Sequence, residues 1–268
     1  MATFKGITFF DFNYALQEFQ GDVSVSSNDE TKWLAFDGNK NTRWQSSGED
    51  TDGNAVSIER DFETNREIKA LFIYNTNILN IAFEFYDGSW NNITDGVNAT
   101  ITKTADNKYI YVLLDAKTTM SRIRISGSNT IVTNEEKYVF DVYAFDLIGT
   151  LEYPIDPNPT EQVNETIFKK EDSKNIVITK GNSFDFSLAI KSHINQNDID
   201  LLETLKDRAT EFYIWINAGV DGQFDYSFEP YRFRDIYKVA RVRGGSPSLT
   251  KNLYWTGLND NLRLIEVS

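Results

Sequence analysis

The sequence contains no cysteine and a single histidine, His193, among its 268 residues. The lack of cysteine excludes disulfide bonds, thiol nucleophiles and cysteine-ligated zinc sites. One histidine excludes histidine clusters, and it permits a Ser-His-Asp triad only if that residue serves in it. His193 lies in a polar stretch with no GxSxG motif beside it, so we interpret it as an exposed loop residue.

The chain also lacks an apolar run of 18 residues, which predicts that no helix spans a membrane. Acidic residues are in excess, with 40 Asp+Glu against 27 Lys+Arg and a net charge of −13. Because phosphates would be repelled over most of such a surface, we expect no nucleic acid partner and no anionic membrane partner. The same charge suits a hard cation such as Ca²⁺.

Catalytic signatures are scarce. A glycosidase needs two facing carboxylates about 5–10 Å apart, and acidic pairs such as Glu49 and Asp52 are expected by chance in an acid-rich chain. The glycine-containing runs 218–222 and 243–246 lack the P-loop lysine and the Rossmann spacing. We therefore predict that the protein is not an enzyme.

Proline and aromatic residues indicate how the chain is organised. Thirteen tyrosines and 19 phenylalanines favour a β-rich fold, because aromatic side chains suit half-buried pleated surfaces. Three of the five prolines fall between Pro154 and Pro159, which predicts a stiff connector over 151–165. We predict one domain before it, over 1–150, and a second after it, over 166–268.

Short alternating runs separated by turn residues fill the first domain, a pattern typical of an antiparallel β-sandwich. The second domain contains a helical pattern over 197–210, where apolar residues at helical spacing form one stripe. Strand patterns flank that helix, and a turn is expected at 180–182. The second domain is therefore predicted to be a small α+β domain with one helix.

One segment of the first domain has a recognisable spacing. Its matching residues are Ala35, Asp37, Gly38, Asn39, Thr42 and Trp44. Three later segments belong to the same pattern: the hairpin Tyr86–Trp90, the alternating strand Arg122–Ile125 and the closing strand Phe140–Tyr143. Together they resemble the discoidin, or coagulation factor 5/8 C-type, family over about residues 5–150. The resemblance implies a galactose-binding-like, jelly-roll β-sandwich in which Trp44 belongs to the core.

The resemblance also implies a structural calcium, because carbohydrate-binding members hold one at this turn. Its ligands here would be Asp37, Asn39 and Thr42, with Ala35 through its carbonyl and Asp141 from the closing strand. Asp141 stands where the family usually has Glu, which is one methylene longer. The alternative is an Asx turn without metal, in which Thr42 bonds locally.

Ligands in this family bind to variable loops at one end of the sandwich. The candidate ligand-binding residues here are Trp33, Arg43, Trp90, Asn91 and Asn92. An aromatic ring would stack on a sugar, and arginine or asparagine would bond its hydroxyl groups. Burial in the core is the alternative for Trp33.

Basic residues concentrate in only one place, at Arg232, Arg234, Lys238, Arg241 and Arg243. On a strand, several of them would share one face, which could dock against acidic neighbours, including copies of the same chain. The alternative is pairing within the chain, with Asp225, Glu229 and Asp235.

Two functions fit these features. The first is a structural component of a phage tail or virion, made in the host cytoplasm, whose partners are other virion proteins, copies of itself and host glycan. The second half is weakly similar to phage tail adaptor domains, without matching motif residues. The second function is a free, extracellular carbohydrate-binding module or lectin with a structural calcium.

Overall fold

The computed structural model describes residues 7–16, 21–104, 106–151, 159–169, 175–193, 196–208, 210–216, 236–241, 248–252 and 255–266, with only the backbone given for 159–193 and 248–266. The described residues form two compact units. The sandwich unit comprises 10–147. The second unit comprises 7–9 and the described residues from 148 onward.

The sandwich unit is built from strands around one short 3-10 helix, Asp29–Ala35. The strands are β1 Ile7–Asn13, β2 Val23–Val25, β3 Trp44–Gln45, β4 Val56–Thr76, β5 Ile78–Tyr86, β6 Trp90–Ile93, β7 Ala99–Lys103, β8 Ile110–Thr130 and β9 Tyr138–Leu151. β1 and β9 begin in one unit and end in the other.

The two 21-residue strands, β4 and β8, hold the sandwich together. They pair antiparallel along two stretches, with irregular register between Asp61 and Arg66 and between Ile68 and Ala70. The stretch of β4 before the irregularity at Asp61 lies in the layer with β2, β5 and β6. The stretch after it lies in the layer with β7, β9 and β3. The strands thus form two layers, which confirms the predicted mainly-β, jelly-roll sandwich.

The core lies between these layers and is formed by alternate residues of each strand. Val56, Ile58, Ile123 and Ile125 belong to it, and Trp44 is fully buried there, as the resemblance implied. The Asp87-Gly88 hairpin also lies where it was predicted, between β5 and β6.

The second unit contains six further strands and one helix among its described residues. They are β10 Pro159–Lys169, β11 Asn175–His193, α1 Gln196–Asp207, β12 Phe212–Ile216, β13 Ile236–Arg241, β14 Ser248–Asn252 and β15 Trp255–Glu266. The strand order is β10-β11-β15-β13-β12, with β14 beside β15. Leu201, Leu202 and Leu205 of α1 are buried. A Cβ atom at Gly149 would lie 2.8 Å from a methyl carbon of Leu201, so glycine permits this close packing. The predicted α+β character and single helix are present in this part of the chain.

Two details differ from the sequence prediction. The residues 180–182, where a turn was expected, lie inside β11. The pairing of β11 with β10 shifts register there, between Val163 and Glu165. β10 begins at Pro159, within the predicted connector 151–165. Proline is tolerated there because it is the first residue of an edge strand.

Candidate functional site

The loop after the 3-10 helix is closed on itself by the carboxylate of Asp37. Its Oδ1 accepts the Asn39 N–H at 2.9 Å, and its Oδ2 accepts the Thr42 hydroxyl at 2.6 Å. The Thr42 hydroxyl also lies 2.9 Å from the carbonyl oxygen of Asn39. Gly38 has a φ of +69°, which favours glycine. Oxygen atoms of Asp37, Asn39 and Thr42 therefore gather at one point.

Asp141 of β9 adds a buried carboxylate close to this point. Its side chain is 0% exposed and lies opposite Tyr74 of β4. Oδ1 accepts the Val142 N–H at 3.0 Å, whereas Oδ2 has no hydrogen-bond partner among the described residues. Burial raises the pKa of Asp141 to about 8, a side-chain hydrogen bond with Tyr143 opposes the rise, and the negative charge of Asp37 adds to it.

These residues fit a calcium ion. Carboxylate, hydroxyl and carbonyl oxygens are the ligands that Ca²⁺ prefers, and the buried Oδ2 of Asp141 lacks the partner that a cation would supply. Ala35 ends the 3-10 helix two residues before Asp37. No group of three or more His, Asp or Glu side chains gathers within the described residues. Backbone carbonyls would therefore have to complete the coordination.

Arg43 makes cation–π contacts with two aromatic rings beside this turn. Its Cζ lies 4.5 Å from the ring centroid of Tyr138 and 5.6 Å from that of Phe140. The two rings meet edge to face, with centroids 5.6 Å apart. The pairing of Trp44 in β3 with Val139 in β9 brings the arginine to these rings. We name Arg43, Tyr138 and Phe140 the arginine–aromatic surface.

The guanidinium of Arg43 is available to a ligand. Arg43 is exposed, the two rings are half-buried, and Arg43 makes no hydrogen bond or ion pair within the described part of the chain. The two rings hold the guanidinium beside them, and the exposure of Arg43 leaves its N–H groups accessible to a ligand. An aromatic face with such a donor can hold a ring that carries polar groups.

A second cation lies over aromatic residues nearby. The Lys40 Nζ is 5.5 Å from the ring centroid of Tyr74, which meets Tyr109 edge to face at 5.3 Å. Tyr74 pairs with Asp141, the residue after Phe140. The sequence analysis missed these aromatic residues as site candidates, although the i, i+2 spacing of Tyr138 and Phe140 already predicted a shared strand face.

Trp33 covers a buried arginine. Its half-buried ring lies 5.3 Å from the Cζ of Arg60, which is 0% exposed. Arg60 donates to the carbonyls of Ala15 and Leu16 at 3.0 and 3.1 Å, and to that of Asp22 at 3.4 Å. Trp33 therefore packs over a charge that organises the loop after β1.

Trp90, Asn91 and Asn92 lie together on β6. The Trp90 ring is stacked by the guanidinium of Arg124, with 3.7 Å from Cζ to the ring centroid. Asn91 donates to Asp87 at 2.8 Å and so fixes the hairpin, while Asn92 is exposed. No contact joins these residues to Arg43 or Trp33 among the described parts of the chain. The five predicted ligand-binding residues thus lie in three separate places.

The loop before β4 is tied to the loop before β9 by two carboxylates. Glu136 accepts the Ser46 hydroxyl at 2.5 Å and the Gly48 N–H at 2.8 Å. Asp52 Oδ1 accepts the Asn134 N–H at 3.0 Å and the Thr130 hydroxyl at 2.9 Å. These bonds fix both loops, and the positive charge of Lys137, which donates to the carbonyls of Glu49 and Thr51, acts on both carboxylates.

Of the predicted assembly residues, Lys238 is the one whose side chain is described. It forms an ion pair with Glu211 at 2.8 Å, within the second unit. Arg241 ends β13, and its side chain lies outside the described residues, as do Arg232, Arg234 and Arg243 entirely. No described helix is long and apolar enough to cross a membrane.

No protein-family model and no curated protein sequence matches the chain. Carbohydrate-binding modules are among the solved structures that resemble it. Chitosan-binding module 1 of a chitosanase/glucanase from Paenibacillus sp. IK-5 is 16% identical, with a TM-score of 0.41, over 50% of this chain and 99% of that module. Module 2 of the same enzyme, in complex with chitotriose, is 17% identical with a TM-score of 0.40, and the match covers 50% of this chain and 100% of that module. The family 32 module of NanJ from Clostridium perfringens, in complex with galactose, is 17% identical with a TM-score of 0.41, over 52% and 99%. Each match spans nearly a whole module and about half of this chain.

Proposed function

We propose that the sandwich unit is a non-catalytic glycan-binding module whose ligand contacts the arginine–aromatic surface. The observation that carries this proposal is the exposed guanidinium of Arg43, in cation–π contact with Tyr138 and Phe140 and without a polar partner in the described chain. The apolar face of a sugar ring packs against aromatic carbons, and guanidinium N–H groups donate to its oxygen atoms.

A calcium ion is part of the same proposal. Bound by Asp37, Asn39, Thr42 and Asp141, with Ala35 through its carbonyl, it holds both sides of the surface in place. Thr42 precedes Arg43, and Asp141 follows Phe140. The ion supplies the positive charge that the buried Asp141 carboxylate lacks, and it makes no contact with the glycan.

The role in a phage tail or virion, the virion location and the assembly interface stay predictions. Lys238 has a partner in its own chain, Glu211, which is the kind of pairing that the alternative reading expected. A free, extracellular lectin is equally compatible with the proposed binding surface.

A glycan array probed with the full chain in the presence of calcium tests the proposal. We expect binding to a limited set of glycans, and its loss in Arg43→Gln and in Tyr138→Ala. Tyr86→Ala is the matched control, because Tyr86 is a half-buried tyrosine with an arginine, Arg122, 5.3 Å from its ring. Thermal melts establish that each variant folds. No binding by the wild type, or equal loss in the control, would overturn the proposal.

A further inference from the structure

We infer that the arginine–aromatic surface selects glycans that carry a carboxylate, such as a uronate or a sialate, and that Arg43 pairs with that group. This inference rests on the proposed function and names the substrate class of the same site. Two independent features support it: the partners of other arginines in the sandwich unit, and the charges on the turn that carries Arg43.

Two partly exposed arginines elsewhere in this unit are matched to carboxylates. Arg122 forms ion pairs with Glu59 at 3.4 Å and with Asp61 at 3.0 Å. Arg124 forms ion pairs with Glu59 at 3.1 Å and with Glu84 at 3.4 Å. Such pairing is expected where residues 1–150 hold 22 acids against 13 bases.

Arg66, half-buried over the ring of Tyr14, has no ion pair in the described chain. Arg43 differs from these arginines in its exposure. It is exposed in the same acid-rich unit, yet no acid of the described chain pairs with it. A guanidinium presents N–H donors in a planar fork that matches the two oxygens of a carboxylate. Because Tyr138 and Phe140 already hold the guanidinium in place, less side-chain entropy is lost when such a ligand binds.

The turn that carries Arg43 adds a second positive charge. Lys40, three residues earlier, lies over Tyr74, and its charge reaches Asp141. The nearest acid of the turn, Asp37, already accepts bonds from Asn39 and Thr42. The charges of Arg43 and Lys40 therefore balance those of Asp37 and Glu135, so this surface has no excess of acid within an acidic unit. More distant acids are screened at physiological salt, where the Debye length is about 8 Å.

Glu135 is the remaining acid near this surface. Its charge raises the pKa of Tyr138, which burial already raises and Arg43 lowers. Glu135 is exposed and forms no ion pair with Arg43. It does not occupy the carboxylate site, and together with Asp37 it only balances the charges of Arg43 and Lys40.

Titration calorimetry of the full chain with matched ligands tests the inference. The pairs are trigalacturonate against its methyl ester and sialyllactose against lactose, with chitotriose as a cationic sugar. We expect one acidic ligand to bind about 10- to 100-fold more tightly than its neutral partner, the range of one charge-assisted, bidentate contact. The pair that shows this preference identifies the acidic sugar.

Variants assign the preference to Arg43. In Arg43→Gln the ratio of the affinity for the acidic ligand to that for its neutral partner should fall to about 1. Arg43→Lys should keep part of this preference, because lysine retains the charge without the planar fork. Arg122→Gln is the matched control and should keep the wild-type ratio. A preference for neutral sugars or chitotriose, or an unchanged ratio in Arg43→Gln, overturns this inference and leaves glycan binding intact. Binding to no glycan at all overturns the proposed function as well.

Discussion

The guanidinium of Arg60 lies against the ring of Trp33, with 5.3 Å between its Cζ atom and the ring centroid. Arg60 is fully buried, and its donors reach the carbonyls of Ala15 and Leu16. A buried charge is costly unless hydrogen bonds and other attractive contacts replace its lost hydration. The half-buried ring of Trp33 supplies a cation–π contact to the guanidinium, which gives it a structural role.

Replacing Trp33 should therefore affect stability and leave glycan affinity unchanged. We expect Trp33→Ala to lower the free energy of unfolding by about 2–4 kcal/mol, since a large aromatic side chain is removed from a partly buried position. Denaturant unfolding and glycan titration of the folded variant measure the two effects. Lost affinity at unchanged stability would show that Trp33 contacts the ligand after all.

Calcium should raise the melting temperature of the wild type, and Asp141→Asn should abolish the increase. The amide keeps the size of the side chain and removes the charge that the ion neutralises. At a calcium concentration of 100 times Kd, the gain in stability is about 2.7 kcal/mol. Asp87→Asn, in the exposed hairpin, is the control and should keep the full increase. A melting temperature that chelator and calcium leave unchanged in the wild type would argue against the ion.

Without calcium, Asp141 should make the protein less stable as the pH rises. Its pKa is raised from 3.8 to about 8 by burial, so the folded chain holds a proton between these values that the unfolded chain has released. Raising the pH through this range therefore favours unfolding. In the presence of chelator, the wild type should lose unfolding free energy relative to Asp141→Asn as the pH rises from 4 to 8. A difference that stays constant would contradict the raised pKa.

Asp52 should have the opposite effect on the pH dependence of stability, so that the protein becomes less stable as the pH falls. The Asn134 N–H and the Thr130 hydroxyl hold the pKa of its carboxyl below the ordinary value of 3.8. Its stabilising effect is therefore complete above the unfolded pKa and is lost as the pH falls through the folded one. Thermal melts should show Asp52→Asn less stable than the wild type near neutral pH, with the two converging in acid. A gap that persists in acid would mean that the amide lost something other than these charge-assisted bonds.

Local patterns in the sequence predicted the elements that local forces determine. The Asp37–Thr42 turn and the hairpin at Asp87 and Gly88 each depend on neighbouring residues, and each lies where it was expected. The burial of Trp44 depends on the core, and it was implied by the family resemblance. The turn expected at 180–182 was wrong, because β11 runs on through these residues, and a register shift against β10 between Val163 and Glu165 takes the place of a turn.

The candidate site depends on contacts between distant parts of the chain. Arg43 reaches Tyr138 because β3 pairs with β9, and Asp141 lies beside Tyr74 because β9 pairs with β4. The pattern around Asp141 showed a strand and did not show which of its oxygen atoms would lack a partner. Such contacts follow from the packing of both layers, which a single sequence specifies weakly.

Hydrogen–deuterium exchange of the full chain, with and without the best glycan from the array, tests most directly where the ligand binds. The account predicts slower exchange at backbone amides of 39–43 and 138–141, the segments that form the turn and the arginine–aromatic surface. The segment 89–93, which carries Trp90, Asn91 and Asn92, should exchange at the same rate in both states. Slower exchange confined to 89–93, with 39–43 unaffected, would contradict the proposed site.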